Sequence, residues 1–82
     1  MKAYILIEVD PGVSLKDIIE GKAMSAGLAS YEGVVSCDVV HGQYDVVVVV
    51  EGDQITIDRT LIKIRDLPFV RKTVSLLTLM LR

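Results

Sequence analysis

The stretch Tyr44-Asp45-Val46-Val47-Val48-Val49-Val50-Glu51, residues 44–51, decides the fold. Valine is branched at Cβ, stiff at χ1 and suited to a pleated backbone, so an unbroken valine run reads as strand. Successive side chains of a strand point to opposite faces. Val46, Val48 and Val50 therefore face one way and Val47 and Val49 the other. A strand apolar on both sides belongs inside a sheet whose two faces are both covered. Immediately upstream, His41-Gly42-Gln43 is a short turn, and Val34 to His41 (VVSCDVVH) reads as a partner strand. Two strands this close in sequence form an antiparallel hairpin.

Further out, Tyr4 to Val9 (YILIEV) is a first strand, stopped by the turn signal Asp10-Pro11-Gly12. Ser14-Leu15-Lys16-Asp17 resembles a capping box with Asp in place of Glu, and a first helix is expected from there. Leu15, Ile18, Ile19, Ala23 and Ala26 give it a rough apolar stripe, while Gly21 and Gly27 weaken it and make its end near Ala29-Ser30 irregular. Downstream of the valines, Gly52-Asp53 offers an N-cap. Ile57, Leu61 and Ile64 then form the apolar face of a second helix. That helix ends at Leu67-Pro68, because the residue before proline avoids the helical region. Val70 to Leu81 is the fourth strand. The order β-α-β-β-α-β specifies an α+β, ferredoxin-like sandwich over residues 1–82: a four-stranded antiparallel sheet with two helices on one face. The helices cover one face only. On the first strand Ile5, Ile7 and Val9 share one face and Tyr4 and Leu6 the other; on the fourth, Leu77, Leu79 and Leu81 share one face and Val74, Leu76 and Met80 the other. Whichever face the helices leave open is expected to pack on the sheet of an identical chain about 10 Å away.

Composition agrees. Of 82 residues 51% are hydrophobic and 24% charged, an apolar load large for a domain that buries only about 60–65% of its unfolded surface. Net charge is −2, and the nine basic residues are scattered. Duplex binding needs clustered Lys and Arg, so no direct DNA contact is expected. Arg71-Lys72 is read as a solvated strand edge. The single Cys37 can form neither an internal disulfide nor a CxxC site, which fits a reducing cytoplasm. No secretory leader is legible at the amino terminus, and no apolar run is long enough for a membrane.

The chemistry-bearing residues give no positive case for an enzyme. His41 and Cys37 lie four positions apart on one strand, about 13 Å, too far for a dyad. One His and one Cys make no metal site. The carboxylates are dispersed, and the glycines match no nucleotide-binding fingerprint, so no cofactor is implied. The informative local pattern is Gly42-Gln43-Tyr44-Asp45 at the hairpin mouth. Turn chemistry accounts for it as well as ligand binding does: Gly for positive φ, Tyr for strand propensity, Asp as a charged gatekeeper before the valines.

Taken together, several segments resemble the effector-binding (RAM) domain of the Lrp/AsnC family of amino-acid-responsive transcription regulators. They are Ala3-Tyr4-Ile5-Leu6-Ile7 with Pro11-Gly12, Glu32-Gly33-Val34-Val35, Gly42-Gln43-Tyr44-Asp45-Val46-Val47, Ile64-Arg65-Asp66-Leu67-Pro68-Phe69-Val70 and Thr73-Val74-Ser75. The resemblance spans essentially the whole chain and implies a stand-alone ligand-binding module without the helix-turn-helix half. It further implies a dimeric α/β barrel, assembly of dimers into rings, and association with full-length regulators of that family. An amino-acid effector would bind between dimers. Carried over, Gly42 and Tyr44 supply backbone contacts and a lid, Asp45 the partner of the ligand's ammonium, Thr73 and Ser75 hydroxyls, with His41 at the rim. Two departures stand out: the stretch from Pro11 to Val34 is long and carries extra glycines, and Pro68-Phe69 stands where the family has Pro-Gly. Two other classes share this architecture, an ACT-type regulatory domain and a small dimeric α/β-barrel enzyme of monooxygenase or isomerase type. The enzyme would hold its ligand inside one subunit.

Overall fold

The computed structural model describes residues 1–22 and 25–79, and describes no side chains for residues 22–26. Ala23, Met80 and Leu81, which the sequence assigns to a helix and a strand, and the side chain of Ala26 lie outside the described residues. The elements are β1 (Lys2–Val9), α1 (Leu15–Glu20), β2 (Gly21–Lys22), β3 (Ser25–Ala26), a 3-10 turn (Leu28–Ser30), β4 (Val34–Val39), β5 (Val46–Glu51), α2 (Gln54–Arg65) and β6 (Val70–Leu77). The main sheet has the order β4-β5-β1-β6, antiparallel throughout. This is the ferredoxin-like arrangement the sequence specifies, with a small β2-β3 ribbon added.

The ribbon replaces the second half of the expected first helix. Asp17 N donates to Ser14 Oγ at 3.4 Å, so the cap forms as read. The helix then stops at Glu20 because Gly21 takes φ 87°, a left-handed conformation that ends helices. The ribbon folds back so tightly that a Cβ on Gly27 would collide with Ile19 O and Gly21 N. The extra glycines of this segment thus build a ribbon where the periodicity suggested more helix.

Pairing settles the faces. Ile5 sits opposite Val48 and Ser75, and Ile7 opposite Val46 and Thr73. Ala3, Ile5, Ile7, Val9, Val46, Val48 and Val50 form one buried face with Ile18, Leu28, Ile57 and Ile64 from the helical side. Asp53 caps α2, its Oδ1 accepting from Thr56 N at 2.8 Å. The residue on α2 that periodicity overlooks is Thr60. It is buried where an apolar side chain would be expected. Its hydroxyl donates to Glu32 O at 2.6 Å, so burial leaves nothing unsatisfied.

On the opposite face Tyr4 pairs with Val49 and Leu76, and Leu6 with Val47 and Val74. Among the described residues no helix lies over it. Val49, on the central pair of strands, is 8% exposed, whereas Leu76 on the edge strand is 53% exposed. Lys2, Glu8, Ser36, Asp38 and Lys72 surround this apolar centre.

Candidate ligand site at the hairpin mouth

β4 and β5 are joined by residues 40–45, and the loop closes where Val40 N donates to Asp45 O at 2.9 Å. Asp45 then grips β1 twice. Its N–H donates to Ile7 O at 2.8 Å, and its Oδ2 accepts from Val9 N at 2.9 Å. The reason is geometric. Odd residues of β1 direct their backbone groups towards β5, and β5 begins only at Val46, so Val9 N–H has no strand carbonyl to meet. The Asp45 carboxylate supplies the missing acceptor, beside the register shift between Glu8 and Val9. Sequence reading offered Asp45 as ligand contact or gatekeeper; the structure gives it a clamp's place. Its Oδ1 accepts no hydrogen bond among the described residues.

Around it, His41, Gly42 and Gln43 are exposed. Gly42 has φ 148°, and a Cβ there would meet nothing within 4 Å, so its backbone is approachable. The ammonium of Lys72 lies 6.0 Å from the centroid of the Tyr44 ring. Arg71 Nε lies 4.0 Å from Glu8 Oε1 and 3.8 Å from Asp10 Oδ1. These exposed pairs contribute little to stability. They do set the charge of this end of the sheet.

Thr73 and Ser75 fall elsewhere. They share the helical face with Ile7 and Ile5 and line a cleft of about 340 Å³ with Leu61, Arg65 and Val70. The structure thus brings His41 to Asp45 together and Tyr44 to Lys72, but sets Thr73 and Ser75 across β1. Two strand spacings, about 10 Å, intervene. Arg65 is the polar group of this cleft that sequence reading missed. Its i, i+4 relation to Leu61 was the available signal, since both project from one side of α2.

A second cleft, of about 550 Å³, lies between α1 and the segment before β6. It is mostly apolar, with Val13, Ile18, Leu28, Tyr31, Leu67 and Phe69. Neither His41 nor Cys37 lines it. Cys37 is half-buried on β4, and burial, helped by the Asp38 charge, pushes its thiol pKa up. Among the described residues no group of three or more His, Cys, Asp or Glu could hold a metal ion. No helix is long and apolar enough to cross a membrane.

Two solved structures share this architecture. The crystal structure of FFRP-DM1 is 28% identical, covering 92% of this chain and 93% of that one, with a TM-score of 0.74. The hypothetical protein PHS023 from Pyrococcus horikoshii is 27% identical, covering 96% of this chain and 89% of that one, with a TM-score of 0.77. The fold is of the Lrp/AsnC type. No protein-family model matches the chain, and no curated protein matches it. Within that fold, the clamp at Asp45 and the cleft at Thr73 and Ser75 mark opposite sides of β1.

Proposed function

We propose that this chain is a self-assembling regulatory module that binds a small amino-acid-like effector between copies, with Asp45 Oδ1 as the partner of the effector's ammonium. The observation that carries the reading is the end-to-end likeness to the FFRP structure, in which each chain covers more than nine-tenths of the other. A chain that matches that structure along its length fits a sensor that acts through other copies or other regulators. The split between the hairpin mouth and the Thr73–Ser75 cleft supports a site shared between chains. About 10 Å separates the two sets within one protomer, whereas a ligand held by the hairpin of one copy can meet the β6 hydroxyls of another from the helical face. The free oxygen of Asp45 and the open backbone at Gly42 suit an ammonium and a carboxylate. The role is one of binding, with no catalytic step.

A thermal-shift screen against the twenty amino acids, followed by calorimetry with any that stabilise the protein, tests this. Asp45→Asn keeps an acceptor for Val9 N–H while removing the charge. It is expected to weaken binding by about tenfold to a hundredfold, the scale of a charge-assisted hydrogen bond. Silence from all twenty amino acids, or unchanged affinity in Asp45→Asn, would sink the reading.

A further inference from the structure

The hydrogen-bond phase of the sheet shows which backbone groups of its edge strands are free. Thr78 N donates to Lys2 O at 2.9 Å, and Lys2 and Thr78 continue the β1–β6 register in which Tyr4 meets Leu76 and Leu6 meets Val74. Hydrogen-bonded pairs alternate with non-bonded ones in an antiparallel ladder. Lys72, Val74, Leu76 and Thr78 therefore turn their N–H and C=O groups towards β1. Thr73, Ser75 and Leu77 turn theirs outward, away from the sheet. The β1–β5 ladder has the complementary phase, since Gly52 N donates to Met1 O at 3.0 Å and Ala3 pairs with Val50.

The two edges of the sheet are not equally protected. β4 carries a register shift between Val34 and Ser36 and is six residues long, with Asp38 next to its end. Bulges, short length and charge are the usual defences of an edge. β6 is eight residues long and regular beyond Arg71. Its one cationic stretch, Arg71-Lys72, guards the beginning only. Leu76 and Leu77 at the other end are 53% and 44% exposed. α2 does not close over this edge either: the cleft lined by Leu61, Arg65, Thr73 and Ser75 separates them.

We infer that β6 is an interface for a second copy of this chain, pairing antiparallel with the partner's β6 about a two-fold axis at Val74. Phase and regularity select this register. Outward groups must meet outward groups, which excludes any slip by one residue. Centring on Thr73 or on Val74 gives the same overlap of seven residues, but only centring on Val74 leaves out Val70, which lies at the register shift. Thr73 then lies opposite the partner's Ser75, each exchanging both N–H···O bonds. Their hydroxyls come together on the helical face, a favourable cross-strand pair. Val74 meets the partner's Val74 on the other face. Lys72 faces the partner's Leu76, and Arg71 the partner's Leu77, so no like charges oppose one another. This self-complementarity is what favours a second copy over an unrelated peptide strand. The result is one continuous sheet across two protomers. It leaves both open sheet faces free and does not depend on effector binding.

Ser75→Pro tests it. Ser75 N–H takes no part in the β1 ladder, and Val74 before it is already extended, as a residue preceding proline prefers. The variant is expected to keep the circular dichroism spectrum and unfolding profile of the wild type while its mass by sedimentation velocity falls by half. A folded Ser75→Pro protein of unchanged mass overturns the inference, as does a monomeric wild type. A second measurement decides should the variant fail to fold. In a Cys37→Ala background, Thr73→Cys and Ser75→Cys proteins are oxidised separately and as a mixture. Linked dimers in the mixture alone establish the register. Failure to link, or self-linking of a single variant, overturns it. Effector affinity is read separately by calorimetry on the wild type and Asp45→Asn, both with β6 intact, so failure of the interface is distinguishable from failure of the proposed site.

Discussion

Asp45 shows how one side chain can be read correctly as special and incompletely as to why. An aspartate after a glycine turn and before five valines suggested a charged gatekeeper or a ligand contact, both of them local. Its acceptor role towards Val9 N–H depends on a residue 36 positions away. The need arises because β5 starts one residue too late to satisfy Val9. No spacing in the sequence encodes that. Asp45→Ala is expected to destabilise the fold by about 1–3 kcal/mol, the cost of a buried donor left without its partner. Asp45→Asn, which keeps an acceptor, should lose much less. Chemical denaturation of the two variants side by side checks the contrast. Equal losses would show that the carboxylate's charge, not its hydrogen bond, matters to the fold. Thr60 is the converse case. Its hydroxyl was invisible as a core residue because its partner is the carbonyl of Glu32, outside α2.

At the level of elements, caps were the most legible features because their chemistry is local. Ser14 and Asp53 both cap as the sequence implies. The Thr56 N–H bond to the Asp53 carboxylate lowers its pKa below the ordinary value. A depressed folded-state pKa means that the cap's contribution is present above the unfolded pKa and lost as pH falls through the lowered folded value. Removing the carboxylate charge should remove that dependence. Asp53→Asn is expected to keep a capped α2 whose thermal midpoint falls less on acidification than that of the wild type. Unfolding scans across the acidic range measure this, and parallel pH curves would contradict it. The first helix was the poorest reading at this scale. Its apolar stripe was real as far as Ile19, but the left-handed backbone at Gly21 and the tight approach at Gly27 are tertiary facts, and there the chain turns back.

For the whole molecule, the valine run correctly announced a strand, and the β-α-β-β-α-β order read around it is the one observed. What the run cannot say is what covers Val47 and Val49, since the described residues supply no third layer. With an apolar centre at Tyr4, Leu6, Val49 and Leu76 and a charged surround, the open face fits the sheet-to-sheet contact expected between copies. Val49→Lys places a cation at its centre without touching the helical core. It is expected to reduce the assembly by sedimentation while the far-ultraviolet spectrum is kept, and an unchanged mass would show that the face is not an interface. The sheet order has one more consequence, and it concerns time. β1 is the first strand in the chain, yet it pairs with β5 and β6, so its neighbours are the late-arriving segments. Until residues 70–77 exist, the central strand has an unfilled edge. Long loops must close before any of these pairings stabilises the chain, and such topologies fold slowly for their size. Synthesis and folding are therefore uncoupled: the hairpin of β4 and β5 can form early, but the sheet closes only when the last strand arrives. A chain truncated after Pro68 should accordingly remain unfolded by circular dichroism, and a native-like spectrum from it would show that β6 is dispensable to folding.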